Sequence, residues 1–309
     1  MTTISPREEC MVLVMGVTGA GKSHFVNKEP PLSLIAYSDV GEDMSVAIVD
    51  TPGFDDTVRS DAEVLHEITR FLSTQHQLGI RLKGIIYLQS INEVRMRGSS
   101  VRYFEMFQQI CGEQAFSNVI LLTTMWDRVP ESEGRKRQQQ LREEFWNTLE
   151  DRGSTIAPFD GSAPMAEGFI MQLLAKEDVV LQVQNELDDS RCLLGQTSAG
   201  RLVLPNVKHQ LEITARELDE LDKEISIANS AGRQEERIRY EEKKRDTLKK
   251  MKREKRDLEE LKTNVHSEAA EKIAKVKKSM WKSGFQVLAT VAGLSISIFV
   301  NLLPFLGVY

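Results

Sequence analysis

The strongest constraint on the fold of this chain is the motif GVTGAGKS at residues 16–23. An apolar run of strand-forming residues, 11–15, precedes it, and the glycine-free residues 22–28 after it can begin a helix. In a strand–loop–helix unit the glycines let the backbone N–H groups point at phosphate oxygens, and the helix N-terminus adds positive potential. Lys22 is expected to reach the β- and γ-phosphates, and the Ser23 hydroxyl to ligate Mg²⁺. The motif therefore predicts a phosphate-binding loop rather than a plain glycine-rich turn.

A second motif, Asp50-Thr-Pro-Gly53, follows the apolar run at residues 46–49. An aspartate at the tip of a buried strand is where a second Mg²⁺ contact is needed. A glycine three residues later can offer its N–H to a γ-phosphate and so sense its presence. The pattern is common as an ordinary turn, but its place on a strand after the first motif favours the functional interpretation.

Two further apolar runs, residues 84–88 and 119–123, predict strands, and the stretches 60–78 and 99–110 predict helices between them. Alternation of helices with near-continuous apolar strands predicts a parallel sheet covered on both faces. Ligands of such sheets bind beyond the carboxyl ends of the strands, where all the motifs of this chain fall.

A base-recognition motif is expected at Thr124-Met-Trp-Asp127. A carboxylate there can accept hydrogen bonds from the ring N–H and the exocyclic amine of guanine, a donor pair that adenine lacks. The alternative is a helix N-cap or a solvated loop aspartate. The strand-like residues 155–159 then lead into residues 160–162, either a loop beneath the base or an ordinary turn.

These motifs predict guanine nucleotide, GTP or GDP, and Mg²⁺ as ligands. The predicted nucleotide contacts are Gly16, Thr18, Gly19, Ala20, Gly21, Lys22, Ser23, His24, Gly53, Thr124 and Asp127. The predicted metal ligands are Ser23 and Asp50, and no catalytic residue is assigned.

Composition narrows the class of protein further. A net charge of −6 argues against a nucleic-acid partner, which normally requires a basic face. The three cysteines are widely spaced, which suits reduced thiols and provides no zinc or disulfide framework. The N-terminus has no apolar stretch behind a basic start, so no signal peptide is expected and the cytoplasm is the expected location.

Together these segments resemble a Ras-type P-loop GTPase domain, and more closely the fungal GTPases related to septins and to the immunity-associated (AIG1-like) GTPases of plants and animals. The resemblance is carried by GVTGAGKS at 16–23, DTPGFDDTVRSD at 50–61, GIIYLQSINEVRMRG at 84–98, VILLTTMWD at 119–127 and QTSAG at 196–200. It implies an α/β Ras-like fold with a mainly parallel sheet and helices on both faces. It also implies dimerisation through the nucleotide face.

Three departures from the Ras-type pattern bear on activity. Met125 stands where those proteins usually have a lysine that covers the base, and Phe54 stands where Ras has the glutamine that orients water. No threonine lies between Ser23 and Thr51, where the first switch loop normally supplies one, so Ser33 or Ser38 substitutes or part of the region is lacking. That segment is also short for a helix, a switch loop and an edge strand together. Slow or partner-dependent hydrolysis is expected.

The tail begins with a loop-like break at residues 195–200, and Pro205 is expected to start a new helix. Apolar residues then alternate in steps of four and three, the spacing of a coiled-coil seam. They are Val207, Leu211, Thr214, Leu218, Leu221, Ile225 and Ala228. Residues 229–232 interrupt the pattern before a second, highly charged run. A single solvated helix, self-association, and an antiparallel hairpin turning at Gly232 remain open.

The C-terminal segment from Ser283 to Tyr309 has no charged side chain. It has about the 20 apolar residues that a membrane helix needs, with four lysines and Trp281 just before it. We expect either a tail anchor that leaves the nucleotide domain in the cytosol or an apolar helix buried against that domain or in an oligomer.

The expected organisation is a nucleotide domain over residues 8–190, a linker over 191–204, a long charged helix or coiled coil over 205–282 and the apolar segment over 283–309. The expected function is a GTP/GDP switch or an oligomerising scaffold, which self-associates through the nucleotide domain or the coiled coil, with a membrane as a candidate partner. The alternatives are a structural coiled-coil protein with a degenerate nucleotide domain and a dynamin-like GTPase that does mechanical work.

Overall fold

A computed structural model describes residues 8–27, 44–53, 59–93, 96, 98–189, 191–279, 284–292 and 297–301. The strands are β1 (Glu8–Gly16), β2 (Met44–Asp50), β3 (Arg81–Ser90), β4 (Val119–Thr124), β5 (Thr155–Pro158) and β6 (Ser297–Asn301). The helices are α1 (Lys22–Asn27), α2 (Asp61–Gln77), α3 (Ser99–Cys111), α4 (Glu131–Leu141), α5 (Asn147–Asp151), α6 (Ala163–Leu174), α7 (Gln182–Leu187), α8 (Ser198–Ser230), α9 (Gln234–Leu261), α10 (Val265–Ser279) and α11 (Gly284–Ala292). A π-helical turn, Arg142–Trp146, joins α4 to α5.

The centre of the molecule is one sheet with strand order β5-β4-β3-β1-β2-β6. The pairs among the first five strands are parallel, and β6 runs antiparallel to β2. Because β4 is buried along its whole length and β3 is buried after its first residue, both faces of the sheet centre are covered. The predicted parallel sheet with interleaved helices is confirmed.

The tail is an antiparallel hairpin of α8 and α9 that turns at Gly232, which has a φ of +69°. Thr214 Oγ1 donates a 2.9 Å hydrogen bond to Glu254, and closer to the tip Lys243 lies 3.3 Å from Glu217. Of the three open alternatives, this arrangement matches the hairpin. Most of the predicted seam is its buried stripe: Thr214, Leu218, Leu221 and Ala228.

The expected helix start at Pro205 was wrong. Helix α8 begins at Ser198, where the Thr197 side chain accepts a 3.0 Å hydrogen bond from the Gly200 N–H, and Pro205 lies inside the helix. Much of the expected linker over 191–204 is therefore helical. The Thr197 cap satisfies an N–H of the first turn and so places the helix start at Ser198, whereas the sequence prediction had placed the start at the proline.

The apolar C-terminal helix is present as α11, but it spans nine residues and packs through Phe285, Val287 and Leu288. Its neighbours are α2 and α10. The segment does not form a single long helix, because residues 297–301 form strand β6, which pairs with the edge of β2. Among the described residues, no helix is both long and apolar enough to cross a bilayer. Trp281 and residues 302–309 lie outside the described part.

Strand β6 occupies the edge of the sheet beside β2, with Ser297 opposite Asp50 and Asn301 opposite Val46. The predicted shortness of the segment between Ser23 and Asp50 is consistent with this arrangement. Residues 28–43, which include Ser33 and Ser38, lie outside the described residues.

Candidate nucleotide-binding site

The loop between β1 and α1 folds around the side chain of Lys22. The Lys22 ammonium donates hydrogen bonds of 3.1 Å to the Gly16 carbonyl oxygen and 3.0 Å to the Val17 carbonyl oxygen. Burial lowers the pKa of this ammonium to about 8, and the nearby carboxylate of Asp50 opposes that effect. The guanidinium of Arg59, at the start of α2, lowers the pKa further. The loop therefore holds a buried cation that an anionic phosphate would stabilise.

Gly16 is required because β1 ends very close to β3. A Cβ at this position would lie 2.3 Å from the Leu88 carbonyl oxygen, and its φ of +141° disfavours other residues. This close approach brings the loop against the carboxyl end of the sheet, as the sequence pattern predicts.

Ser23 and Asp50 meet at the end of β2. The Ser23 hydroxyl donates a 2.7 Å hydrogen bond to Asp50 Oδ2. The other carboxylate oxygen, Oδ1, is buried and has no hydrogen-bond partner among the described residues. A hydroxyl and a carboxylate with an unused buried oxygen are a donor set that fits Mg²⁺, a cation that prefers oxygen ligands.

Gly53 lies directly against the phosphate-binding loop. A Cβ on Gly53 would be 2.5 Å from Thr18 Oγ1 and 2.8 Å from Lys22 Nζ. The preceding Thr51 is fixed by a 2.9 Å hydrogen bond from its hydroxyl to the Val14 carbonyl oxygen. The structure thus brings together the two predicted phosphate motifs. Phe54 lies outside the described residues.

A cavity of about 450 Å³ opens beside this loop at the same edge of the sheet. Its lining residues are Gly21, His24, Thr124, Met125, Trp126, Asp127, Arg128, Phe159, Asp160 and Gly161. The predicted base-recognition residue Asp127 and the predicted loop at 160–162 therefore share one cavity with the start of α1. The role predicted for that loop, a position beneath a base, stays a prediction.

The chain after β4 is tied to the phosphate-binding loop by Thr124. Its hydroxyl donates a 2.8 Å hydrogen bond to the Ala20 carbonyl oxygen. Met125 then adopts a left-handed conformation with a φ of +61°, which is uncommon for a residue other than glycine. Its sulfur accepts a 3.3 Å hydrogen bond from the Ser90 hydroxyl. This sharp turn carries Asp127 to the cavity wall.

Two residues that line the cavity, Trp126 and Arg128, were not predicted from the sequence as site residues. The Trp126 indole N–H donates a 3.0 Å hydrogen bond to the Thr123 carbonyl oxygen. Gly134 of α4 leaves room for the ring, since a Cβ there would lie 2.7 Å from it. The pairing of Trp126 with a glycine eight residues later carries no local sequence signal.

The opposite wall of the cavity is built by Phe159 and the loop that follows it. The rings of Phe159 and Phe25 pack with centroids 5.0 Å apart, which fixes the wall to α1. Asp160 Oδ1 accepts a 2.7 Å hydrogen bond from the Ser162 N–H, and this bond closes the turn at Gly161. Hydrogen bonds from the Ser162 side chain and then from the Ser162 N–H favour the ionised carboxylate and so lower the pKa of Asp160.

Helix α2 leads from the Asp50–Gly53 motif to the C-terminal helices. The Ser60 hydroxyl caps α2 by accepting a 3.1 Å hydrogen bond from the Glu63 N–H. Glu63 also pairs at 3.1 Å with Arg256 of α9. One turn further along, His66 lies 2.9 Å from Glu268 of α10. A displacement of α2 would therefore disturb contacts with both α9 and α10.

These observations define the fold. A parallel sheet covered by helices, with a GxxxxGKS loop after its first strand, is a Ras-like α/β fold with a P-loop.

Similarity to known proteins covers part of the chain. No family model matches the chain. GTP-binding protein A of Dictyostelium discoideum is 27% identical over 132 residues, which cover 38% of this chain and 28% of that protein. The chain thus matches little more than a quarter of the length of that relative.

Two solved structures share parts of the fold at low similarity. Toc33 of Arabidopsis thaliana, in complex with Mg²⁺ and GMPPNP, is 19% identical with a TM-score of 0.40 and covers 54% of this chain and 82% of its own. Elongation factor SelB of Methanococcus maripaludis, in complex with a GTP analogue, is 15% identical with a TM-score of 0.36 and covers 57% of this chain and 36% of its own. Similarity this low carries no argument about function.

Proposed function

We propose that this chain binds guanine nucleotide with Mg²⁺ and acts as a GTP/GDP switch whose state is transmitted to a C-terminal helical hairpin. We further propose that this chain is related to septins and to AIG1-like GTPases. The observation that carries it is the meeting of a buried Lys22, the Ser23–Asp50 pair and the Asp127 cavity at one edge of the sheet.

The phosphates would lie along the loop at residues 16–23. The Lys22 ammonium would leave its two carbonyl partners for phosphate oxygens, and the backbone N–H groups of the loop would complete their coordination. Ser23, and Asp50 through water, would hold Mg²⁺, which supplies charge neutralisation between the phosphates. Asp127 would accept hydrogen bonds from guanine, and Thr124 would keep that wall joined to the loop.

The switch would act through Gly53 and α2. A γ-phosphate reaches the region that Gly53 now shares with Thr18 and Lys22, so its arrival must move the Gly53 segment. Residues 54–58 connect that segment to Ser60, the cap of α2. Since α2 contacts α8, α9, α10 and α11, its movement would change the position of the hairpin.

We further propose slow or partner-dependent hydrolysis and self-association of the chain. An apolar residue at position 54, where Ras has a water-orienting glutamine, supports slow intrinsic turnover. The charged helical hairpin supports association between copies. We also propose a cytosolic location, with a membrane as a candidate partner of the apolar C-terminal segment.

The test is an equilibrium titration of the full chain with fluorescent GDP, GTP and ATP in the presence of Mg²⁺. Binding of both guanine nucleotides, with ATP at least about a hundredfold weaker, is the expected result. Lys22→Ala should abolish binding, whereas the matched control Lys262→Ala, on an exposed lysine far along the tail, should not.

Failure of every nucleotide to bind would overturn the proposal and favour a structural protein with a degenerate nucleotide domain. Tight binding with strong stimulation of hydrolysis on liposomes would instead favour a mechanical, dynamin-like GTPase over a switch. Weak, unstimulated turnover by a protein that binds guanine nucleotide supports the switch.

A further inference from the structure

The outer half of the α8–α9 hairpin carries a shallow groove of about 530 Å³ between its two helices. Its apolar residues are Ile225, Ile238 and Leu248, of which Ile238 is 46% exposed and Leu248 is 40% exposed. Side chains of this size are normally covered when several of them adjoin. The groove is therefore the candidate interaction surface of the hairpin.

Two segments of these helices at the same level carry opposite net charge, although the α9 wall of the groove also contains Glu241 and Glu242. Residues 212–224 of α8 contain six carboxylates, Glu212, Glu217, Asp219, Glu220, Asp222 and Glu224, and two cations, Arg216 and Lys223. Residues 243–253 of α9 contain the cations Lys243, Lys244, Arg245, Lys249, Lys250, Lys252 and Arg253 and the single carboxylate Asp246. The two segments lie at the same level of the hairpin, as the pairs Lys243–Glu217 and Lys244–Asp222 show.

We propose that the occupant of this groove is the same groove of a second copy of the chain, in a dimer whose two-fold axis runs parallel to the helices. In that arrangement the acidic α8 of each copy faces the basic α9 of the other, at the same level. A two-fold axis perpendicular to the helices would place α8 on α8 and so oppose like charges, which is unfavourable. Both hairpin tips then point the same way, and both nucleotide domains lie at the same end.

The register of the hairpin makes the pairing specific. Asp219 lies level with Leu248, because Asp222 pairs with Lys244 and Thr214 with Glu254 across the hairpin. Across the proposed interface, Asp219 therefore meets Lys249 of the second copy, while Ile238 packs on Ile225 of the second copy. Fully exposed ion pairs contribute little, so the apolar contacts supply the affinity and the charges supply the orientation.

The inference rests on the self-association included in the proposed function, but not on nucleotide binding. Sedimentation velocity of the full chain over a range of concentrations tests it. We expect a monomer–dimer equilibrium, and Ile238→Lys should raise the dissociation constant by about tenfold or more. The matched control is Ile227→Lys, an isoleucine of α8 that is 54% exposed, does not line the groove and should leave the equilibrium unchanged.

Charge reversal tests the orientation. Asp219→Lys and Lys249→Glu should each weaken the dimer, because each places like charges across the interface, and an equimolar mixture of the two variants should restore it. A chain that stays monomeric at its highest soluble concentration would overturn the proposal, and so would a dimer that Ile238→Lys leaves intact. A dimer that neither charge reversal weakens would overturn the parallel arrangement.

A guanine-nucleotide titration of Ile238→Lys separates this inference from the proposed function. Normal nucleotide binding by a monomeric variant supports the groove as the dimer interface. If the wild type dimerises but binds no guanine nucleotide, the proposed function is contradicted and the proposed dimer interface is not.

Discussion

Ser23 and Asp50 are 27 residues apart in the chain, yet the Ser23 hydroxyl donates a 2.7 Å hydrogen bond to Asp50 Oδ2. The bond joins the first turn of α1 to the end of β2. It leaves Asp50 Oδ1 buried, with no hydrogen-bond partner among the described residues. A hydroxyl and a carboxylate held this close are an oxygen donor set that fits Mg²⁺.

Ser23→Ala should therefore weaken binding mainly when Mg²⁺ is present. The variant lacks the metal-ligating hydroxyl but keeps Lys22 and the backbone N–H groups of the loop. We expect affinity for GDP in Mg²⁺ to fall by about tenfold or more, and affinity in EDTA to change little. Titrations in both media provide the internal control. An equal loss in the two media would show that Ser23 supports the loop rather than the metal.

Gly53→Ala should impair the response to the γ-phosphate. Its Cβ would lie 2.5 Å from Thr18 Oγ1 and 2.8 Å from Lys22 Nζ, so the segment must move away from the loop. We expect affinity for GTP to fall more than affinity for GDP, by about tenfold, since only GTP needs the Gly53 N–H. The ratio of the two dissociation constants is the measurement, and an unchanged ratio would contradict the assigned role. Gly168→Ala, in α6 with no atom near its Cβ, is the matched control.

The affinity for nucleotide should decline as pH rises through about 8. In the free protein, burial lowers the pKa of Lys22 to about 8, and phosphate would raise that pKa because it stabilises the charged ammonium. Binding is therefore coupled to proton uptake above this pH, and affinity is greatest below it. Calorimetry in two buffers of different ionisation enthalpy measures the uptake at pH 8.5.

Lys22→Arg is the matched control for this pH dependence, since a guanidinium stays charged throughout the range. Whatever its absolute affinity, its binding should take up no proton at pH 8.5. Equal proton uptake by both proteins would assign the effect to another group.

Glu268→Gln should weaken the attachment of α10 to α2. Hydrogen bonds from His66 and then from Lys272 lower the pKa of Glu268 to about 2 from an ordinary value of 4.5. The ionised form is favoured in the folded state, so its stabilisation is present above pH 4.5 and is lost as pH falls towards 2. We expect a loss of about 1–3 kcal/mol in the free energy of unfolding at pH 7.

Denaturant unfolding at several pH values measures this effect. The difference between wild type and Glu268→Gln should shrink below pH 4.5, where the native carboxylate begins to lose its advantage. Glu271→Gln changes an exposed carboxylate on the same helix and should have little effect. A pH-independent difference would attribute the loss to packing instead of charge.

The parts of the site that could be predicted from the sequence are those whose chemistry is local. The loop around Lys22 and the strand that ends at Asp50 each carry their motif within a few residues, and alternation of strand and helix orders them in one sheet. The same strand-end rule brings Asp127 to the cavity, because parallel strands present their carboxyl ends at one edge.

The parts that could not be predicted depend on contacts between distant residues. Residues 229–232 permit a hairpin or an interruption, and only the packing of α8 on α9 decides between them. Pairing of residues 297–301 with β2 bridges some 250 positions and has no local signature. Trp126 lines the cavity because Gly134 leaves room for its ring. The spacing of apolar residues in the sequence does not reveal this contact.

The most direct test of guanine recognition is a change of specificity at Asp127. Its carboxylate can accept hydrogen bonds from two donors on guanine. An asparagine at this position offers one hydrogen-bond acceptor and one donor, and this pattern matches the ring N–H and the 2-carbonyl oxygen of xanthine. Calorimetric titration of wild type and Asp127→Asn with GDP and XDP is therefore the decisive measurement. We predict that wild type prefers GDP, and that the variant prefers XDP, by about a hundredfold in each case. If Asp127→Asn binds GDP as well as the wild type does, the cavity is not a guanine site and the account is wrong.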